Sequence, residues 1–171
     1  MNFMKALLFF LVMISGNLIF VVSAHSHQIK VVGLIERVKI HPGNLVIHAK
    51  FDTGARNSSL HATNITRFKQ NGEKWIRFDV VNRAGETVTL ERKVERIVGI
   101  KRKKGESRKR IVIRLGICLG DIYKEVEVNL ENRSKFAHLM LIGRSFMLGD
   151  IHVDPSTSYT TEPTCRETSH R

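Results

Sequence analysis

The chain lacks the marks of several common enzyme classes. It has no Cys-x-x-Cys, no His-Glu-x-x-His and no His/Cys set at zinc-finger spacing, so its residues offer neither a redox pair nor a zinc site of known spacing. His48, His61, His138 and His152 are scattered, and we expect no metal. No glycine-rich loop leads into Lys-Ser/Thr, which removes the usual cradle for nucleotide phosphates, and we expect no cofactor. Apolar residues at helical spacing are missing over any long stretch, and no internal repeat is visible. Acidic residues are scarce, with 16 Asp+Glu against 28 Lys+Arg and a formal charge of +12. Such an excess concentrates anionic partners: nucleic acid, anionic lipid or wall polymer, or an acidic peptide. Cysteine is limited to Cys118 and Cys165. In an oxidising compartment they would form one disulfide from a strand to the C-terminal tail. Alternatively Cys118, between Ile117 and Leu119, is a plain buried thiol. The sequence leaves both open.

What the chain does have begins with a leader. Met1–Lys5 is short and positively charged, residues 6–22 are almost wholly apolar, and Val22-Ser23-Ala24 puts small residues where signal peptidase needs them. We expect residues 1–24 to be a cleaved signal peptide, with an uncleaved membrane anchor as the alternative, and the mature protein to be periplasmic or secreted. Only Lys5 of the charge leaves with the leader. Export argues against nucleic acid as the partner. At 171 residues the chain holds one ordinary domain, expected over residues 25–160, with 161–171 as a flexible tail.

Short β-type runs separated by turn signals fill the rest. Val31–Ile40 ends at His41-Pro42-Gly43-Asn44, and Leu45–Phe51 follows as a buried strand. Asn71-Gly72 between two such runs is the strongest local hairpin signal. Thr87–Leu90, Val94–Ile100, Ile111–Leu119, Tyr123–Leu130, Leu139–Ile142 and Ile151–Val153 continue the pattern. Ser145–Leu148 fits one short helical turn, and from Ser156 onward the chain reads as a loose polar tail. Lys101–Arg110 is a basic tip with Gly105 in its turn. The fold class predicted is all-β, a closed barrel or sandwich.

One constellation carries chemistry. The apolar strand Val46–Phe51 delivers Asp52-Thr53-Gly54-Ala55, and far downstream Leu139-Met140-Leu141-Ile142 ends in Gly143-Arg144. That pairing resembles the retropepsins, aspartic peptidases in which an apolar run ending in Gly-Arg packs beneath an Asp-Thr-Gly-Ala loop. Further blocks sharpen the likeness: AKFDTGARNSSLHA at 49–62, WIRF at 75–78, LENRSKFAHLMLIGRS at 130–145, then Val153-Asp154-Pro155-Ser156. In this order they resemble the retropepsin-like family that carries the name ATP-dependent zinc protease. Its members are often associated with the ligase that adds glutamate tails to a ribosomal protein. The similarity runs from about Val31 to Tyr159. It departs at Gly33-Leu34-Ile35-Glu36, where the family has Gly-Trp-Arg-Glu. It departs again at Arg56, where viral retropepsins place an acid that pairs with the later arginine. Arg144 would then need another carboxylate, Glu36 or Asp154.

The resemblance implies a closed retropepsin-like acid-protease barrel with one short helix and Asp52 as catalytic residue. Two carboxylates must share one proton and one water, and Asp-Thr-Gly occurs once, so a second chain must supply the second Asp52. A homodimer is therefore expected. Thr53 is expected to bond across the two-fold axis, and Gly54 to admit substrate and partner loop. Ala55, Arg56, Ser58, Ser59 and Arg110 are expected at the substrate, the two serines as donors to the outer carboxylate oxygens. Gly143 and Arg144 are expected to be structural, and Arg110 also suits an ion pair. Either the Asn71-Gly72 hairpin or the basic hairpin at Gly105 would form the flap. The second would favour acidic peptides or touch a membrane surface, unless its charges are simply solvated. The resulting expectation is an exported aspartic endopeptidase acting on peptide or protein substrates. Its rivals are a non-catalytic basic barrel that binds anionic polymers, and a metal-dependent hydrolase.

Overall fold

A computed structural model describes residues 28–100 and 108–165. The leader at 1–24 and most of the basic tip, residues 101–107, lie outside the described residues.

Eleven strands and one short helix make up the described chain: β1 Lys30–His41, β2 Val46–Phe51, β3 Ser58–His61, β4 Thr63–Gln70, β5 Glu73–Val81, β6 Thr87–Lys93, β7 Arg96–Ile100, β8 Arg108–Leu119, β9 Ile122–Glu131, β10 Met140–Ile142, α1 Arg144–Met147 and β11 Ile151–Ser158. The ring β1-β2-β10-β3-β9-β8 closes on itself through β1–β8 pairing, giving a six-stranded barrel. β11 extends it beside β1, and β7 beside β8. Closure leaves the ring strands without free edges. The alternation of branched apolar and polar residues explains the arrangement. On β9, Val126, Val128 and Leu130 point inward while Glu125, Glu127 and Asn129 do not. Phe51, Ile113, Leu115, Met140 and Phe146 fill the interior. Each large apolar side chain so buried stabilises by about 1.5–3 kcal/mol.

β4, β5 and β6 form a separate three-stranded sheet. Its inner face, Ile76, Phe78, Val80 and Leu90, joins the same core. Its β4–β5 turn is the expected Asn-Gly hairpin, with Asn71 and Gly72 at φ 50° and 78°.

Two expectations about strands and tail need correction. Ser58–His61 is a strand that period-2 reading passes over, because all four of its residues are buried and two are serines. It lies between β10 and β9, where both faces are covered. The chain after Ser156 is not loose as far as Cys165. β11 runs parallel to β1 through Ser158, and Tyr159 N donates to Ile35 O at 2.8 Å. Glu36, fully buried, accepts from Gly33 N (2.7 Å), Thr160 N (2.9 Å), Thr160 Oγ1 (2.6 Å) and Thr161 N (3.3 Å). A buried carboxylate demands such donors, and here the tail supplies most of them. Thr164 N then reaches Gly120 O at 2.6 Å, and Cys165 is disulfide-bonded to Cys118. The open question about the cysteines thus resolves to a bond; residues 166–171 lie outside the described chain.

Candidate active site

β2 carries its chain straight into Asp52, and β10 lies parallel beside it with Ile142 opposite Phe51. Asp52 N donates to Ile142 O at 2.9 Å, so the barrel's backbone ladder continues to the carboxylate itself. The loop then turns: Ala55 N reaches Asp52 O at 3.2 Å, and Gly54 N reaches Asp52 Oδ1 at 2.9 Å. One carboxylate oxygen is thereby aimed by its own loop. Asp52 is half-buried, while Thr53 and Gly54 are exposed.

The return of the loop is clasped by the downstream Gly-Arg. Arg144 N donates to Ala55 O and Ser145 N to Arg56 O, both at 2.9 Å, and Gly143 N donates to Ser58 Oγ at 3.2 Å. A side chain at position 143 would put its Cβ 2.5 Å from Asn57 C and 2.8 Å from Arg56 O. Only glycine allows that approach. Below the clasp α1 buries Phe146 and Met147, and Lys124 Nζ holds Phe146 O at 2.8 Å.

Several predicted roles move. Arg144 meets neither Glu36 nor Asp154: its Nη1 donates to Thr53 O at 2.6 Å, tying the tip of the loop to the helix start. Glu36 is committed to the tail, and Asp154 caps Ser156. Ser58 and Ser59 do not reach the Asp52 carboxylate. They sit in buried β3, where Ser58 Oγ accepts from Gly143 N and Ser59 Oγ lies 3.5 Å from Arg133 Nη1.

Arg56 and Arg110 do come together. With Ala55, Asn57, Arg96 and Glu127 they line a polar cavity of ≈ 660 Å³ between the exit of the Asp52 loop and the β7–β8 pair. Arg110 Nη2 bonds Glu131 at 2.5 Å, the expected ion pair, while its buried Nε has no partner. Arg96 pairs with Glu127, which holds that carboxyl below its usual range. Of the two candidate hairpins, β7–β8 is the one that borders the Asp52 loop.

Sequence reading missed Arg133. It lines a second cavity, ≈ 360 Å³, together with Lys50, Asp52, Phe136, His138 and Leu141. Its buried position had no sequence signal, since Asn132-Arg133-Ser134 reads as a polar turn. Buried His61 in β3 accepts from Arg133 N at 2.9 Å and so fixes where that residue sits. Burial pushes the Arg133 guanidinium below its ordinary value, partly offset by the Glu131 charge. His138 is likewise pushed down, first by burial and then by Lys50, Arg83 and Arg133.

Residues 31–164 match the model of the RimB-like family, described as "Retropepsin-like aspartic endopeptidase RimB". A solved structure from Legionella pneumophila, of a protein with unknown function, superposes with TM-score 0.68 at 35% identity, covering 77% of this chain and 98% of that one. Two relatives bear the name "Probable alpha-L-glutamate ligase". The protein of Shewanella pealeana is 43% identical over 116 residues, and that of Parasynechococcus marenigrum is 36% identical over 116. Each match covers 66% of this chain and only 25% of the relative, so the chain spans a quarter of the proteins that bear the ligase name.

Proposed function

We propose, from the premise that this chain belongs to the RimB-like family of retropepsin-like aspartic endopeptidases, that it hydrolyses peptide bonds as a homodimer with one Asp52 from each subunit. The observation that carries the reading is the clasp on the Asp52 loop, which spends Gly143, Arg144 and Ser145 on holding one half-buried carboxylate at a barrel end. Two such carboxylates brought together repel, so they share a proton and titrate in two steps. The ionised one takes a proton from the bound water as that water attacks the scissile carbonyl carbon. The protonated one donates to the carbonyl oxygen, giving a gem-diol. The carboxyl that took the water's proton then passes it to the amide nitrogen as the C–N bond breaks and the amine leaves, while a gem-diol hydroxyl returns its proton to the other carboxylate. Exposed Thr53 and Gly54 suit contact with the partner loop and the substrate backbone.

The substrate class we favour is an acidic, glutamate-rich peptide. Arg56, Arg96 and Arg110 beside the loop exit support it, and so does the glutamate chemistry in the names of the matched ligases. The β7–β8 pair, which borders the exit of the Asp52 loop, would be the flap. Export is supported by the leader pattern and by the Cys118–Cys165 disulfide, which persists in oxidising compartments.

The test is cleavage of an acidic peptide library by the mature protein and by Asp52→Asn, together with sedimentation of both. We expect a dimer that cuts in its native form and loses cleavage by at least about a thousandfold in Asp52→Asn. A strict monomer, or cleavage indifferent to Asp52, would overturn the reading. Anion binding without cleavage in both forms would favour the non-catalytic barrel.

A further inference from the structure

We infer that Arg133 is a specificity-determining residue that selects a carboxylate side chain next to the scissile bond, an inference that rests on the peptidase reading above. The cavity that Arg133 shares with Asp52 is separate from the arginine-lined one at the loop exit, and its walls are Lys50, Phe136, His138 and Leu141.

The arginine is held as a fixed reader rather than a mobile surface charge. Its backbone N is pinned to His61 Nδ1, its Nε donates to His138 O at 3.0 Å, and its Cζ lies 4.6 Å from the centre of the Phe136 ring. The residue is 5% exposed. Its contact with Ser59 Oγ, at 3.5 Å, is at the limit of a hydrogen bond. These contacts use Nε and Nη1, and the residue stands in the wall of the cavity that Asp52 also lines. A guanidinium fixed in the wall of a cavity suits a planar carboxylate.

Charge gives the reason for its position. A carboxylate dyad sharing one proton carries a negative charge and repels an acidic side chain bound beside it. Without a cation at that spot an acidic residue flanking the cut would be rejected. Arg133, with Lys50 in the same cavity wall, reverses the sign of the discrimination. Burial and then the cationic neighbours Lys50, Arg83 and Arg133 disfavour a charge on His138, so Arg133 and Lys50 are the permanent cations of this cavity.

The experiment uses three quenched-fluorescence peptides that differ only in the residue flanking the scissile bond: Glu, Gln or Ala. The native dimer should cut the Glu peptide about tenfold or more faster in kcat/KM than the Gln peptide. Arg133→Gln should bring that ratio toward one, and Arg133→Lys should recover part of it. In the native protein, raising salt should shrink the Glu preference while leaving the Gln peptide little affected. This last measurement needs no variant, so misfolding of Arg133→Gln does not rescue the idea. A native ratio near one overturns the inference while the peptidase reading stands. Equal loss on all three peptides in Arg133→Gln, with a salt-independent native ratio, overturns it too. Absence of any Asp52-dependent cleavage overturns both.

Discussion

Asp52–Asn57 and Asn71–Gly72 are both tight turns between strands, and they are specified in opposite ways. The hairpin turn depends on its own two residues. Both adopt positive φ, and a Cβ at Gly72 would meet nothing within 4 Å. The Asp52 loop depends on residues some ninety positions away, since its carbonyls at Thr53, Ala55 and Arg56 are taken by Arg144 and Ser145. A local turn can be read from a dipeptide and changed at small cost. A clasped loop can be read only by pairing two distant motifs, and it tolerates almost nothing at the contact.

Substitutions at the two turns sharpen this contrast. Gly143→Ala forces a Cβ into the Asn57 backbone, and we expect a loss of roughly 3 kcal/mol in urea unfolding together with loss of peptide cleavage. Native-like stability in that variant would break the comparison. Arg144→Met removes the donor to Thr53 O and should cost about 1–2 kcal/mol, with kcat/KM falling further than stability alone explains. Gly72→Ala, strained at φ 78°, should cost about 1 kcal/mol in thermal unfolding and leave kcat/KM within twofold. A large catalytic loss there would mean that the β4–β5 hairpin, rather than β7–β8, covers the cleft.

The smallest expected effect is on acid stability. Each region holds a carboxyl below its ordinary range: Glu127 through Arg96, near the clasp, and Asp79 through Thr89 and then Asn64, in the hairpin sheet. A depressed folded pKa means that the stabilisation is present above the ordinary values of 4.5 and 3.8 and is lost as pH falls through the folded ones. His138 adds to this in a higher window. Because it resists protonation when folded, stability should already decline as pH drops below its ordinary 6.5. Unfolding midpoints measured from pH 7 to 3 should therefore fall in two stages, and His138→Phe should flatten the first.

Much of the fold was legible for the same local reason as the hairpin. Branched runs and turn residues marked most of the strands, and Asp-Thr-Gly-Ala with Gly-Arg marked the loop and its clasp. What escaped was set by long-range burial. Ser58–His61 looks like a polar turn until Gly143 N and Arg133 N are found satisfying Ser58 Oγ and His61 Nδ1. Arg133 looks like surface charge until β3 and Phe136 are placed around it. Glu36 resembled a partner for Arg144, but its donors come from a tail that composition alone marks as loose.

That tail has a mechanical consequence. The chain leaving β11 is fastened at Glu36 and again, covalently, at Cys118 on β8. Tension applied beyond Cys165 would be borne first by the sulfur bridge and passed into the barrel wall, so β11 would not be peeled from β1. Under reducing conditions the same pull would fall on the Thr160 and Thr161 contacts, and the last strand would become the first part to unzip.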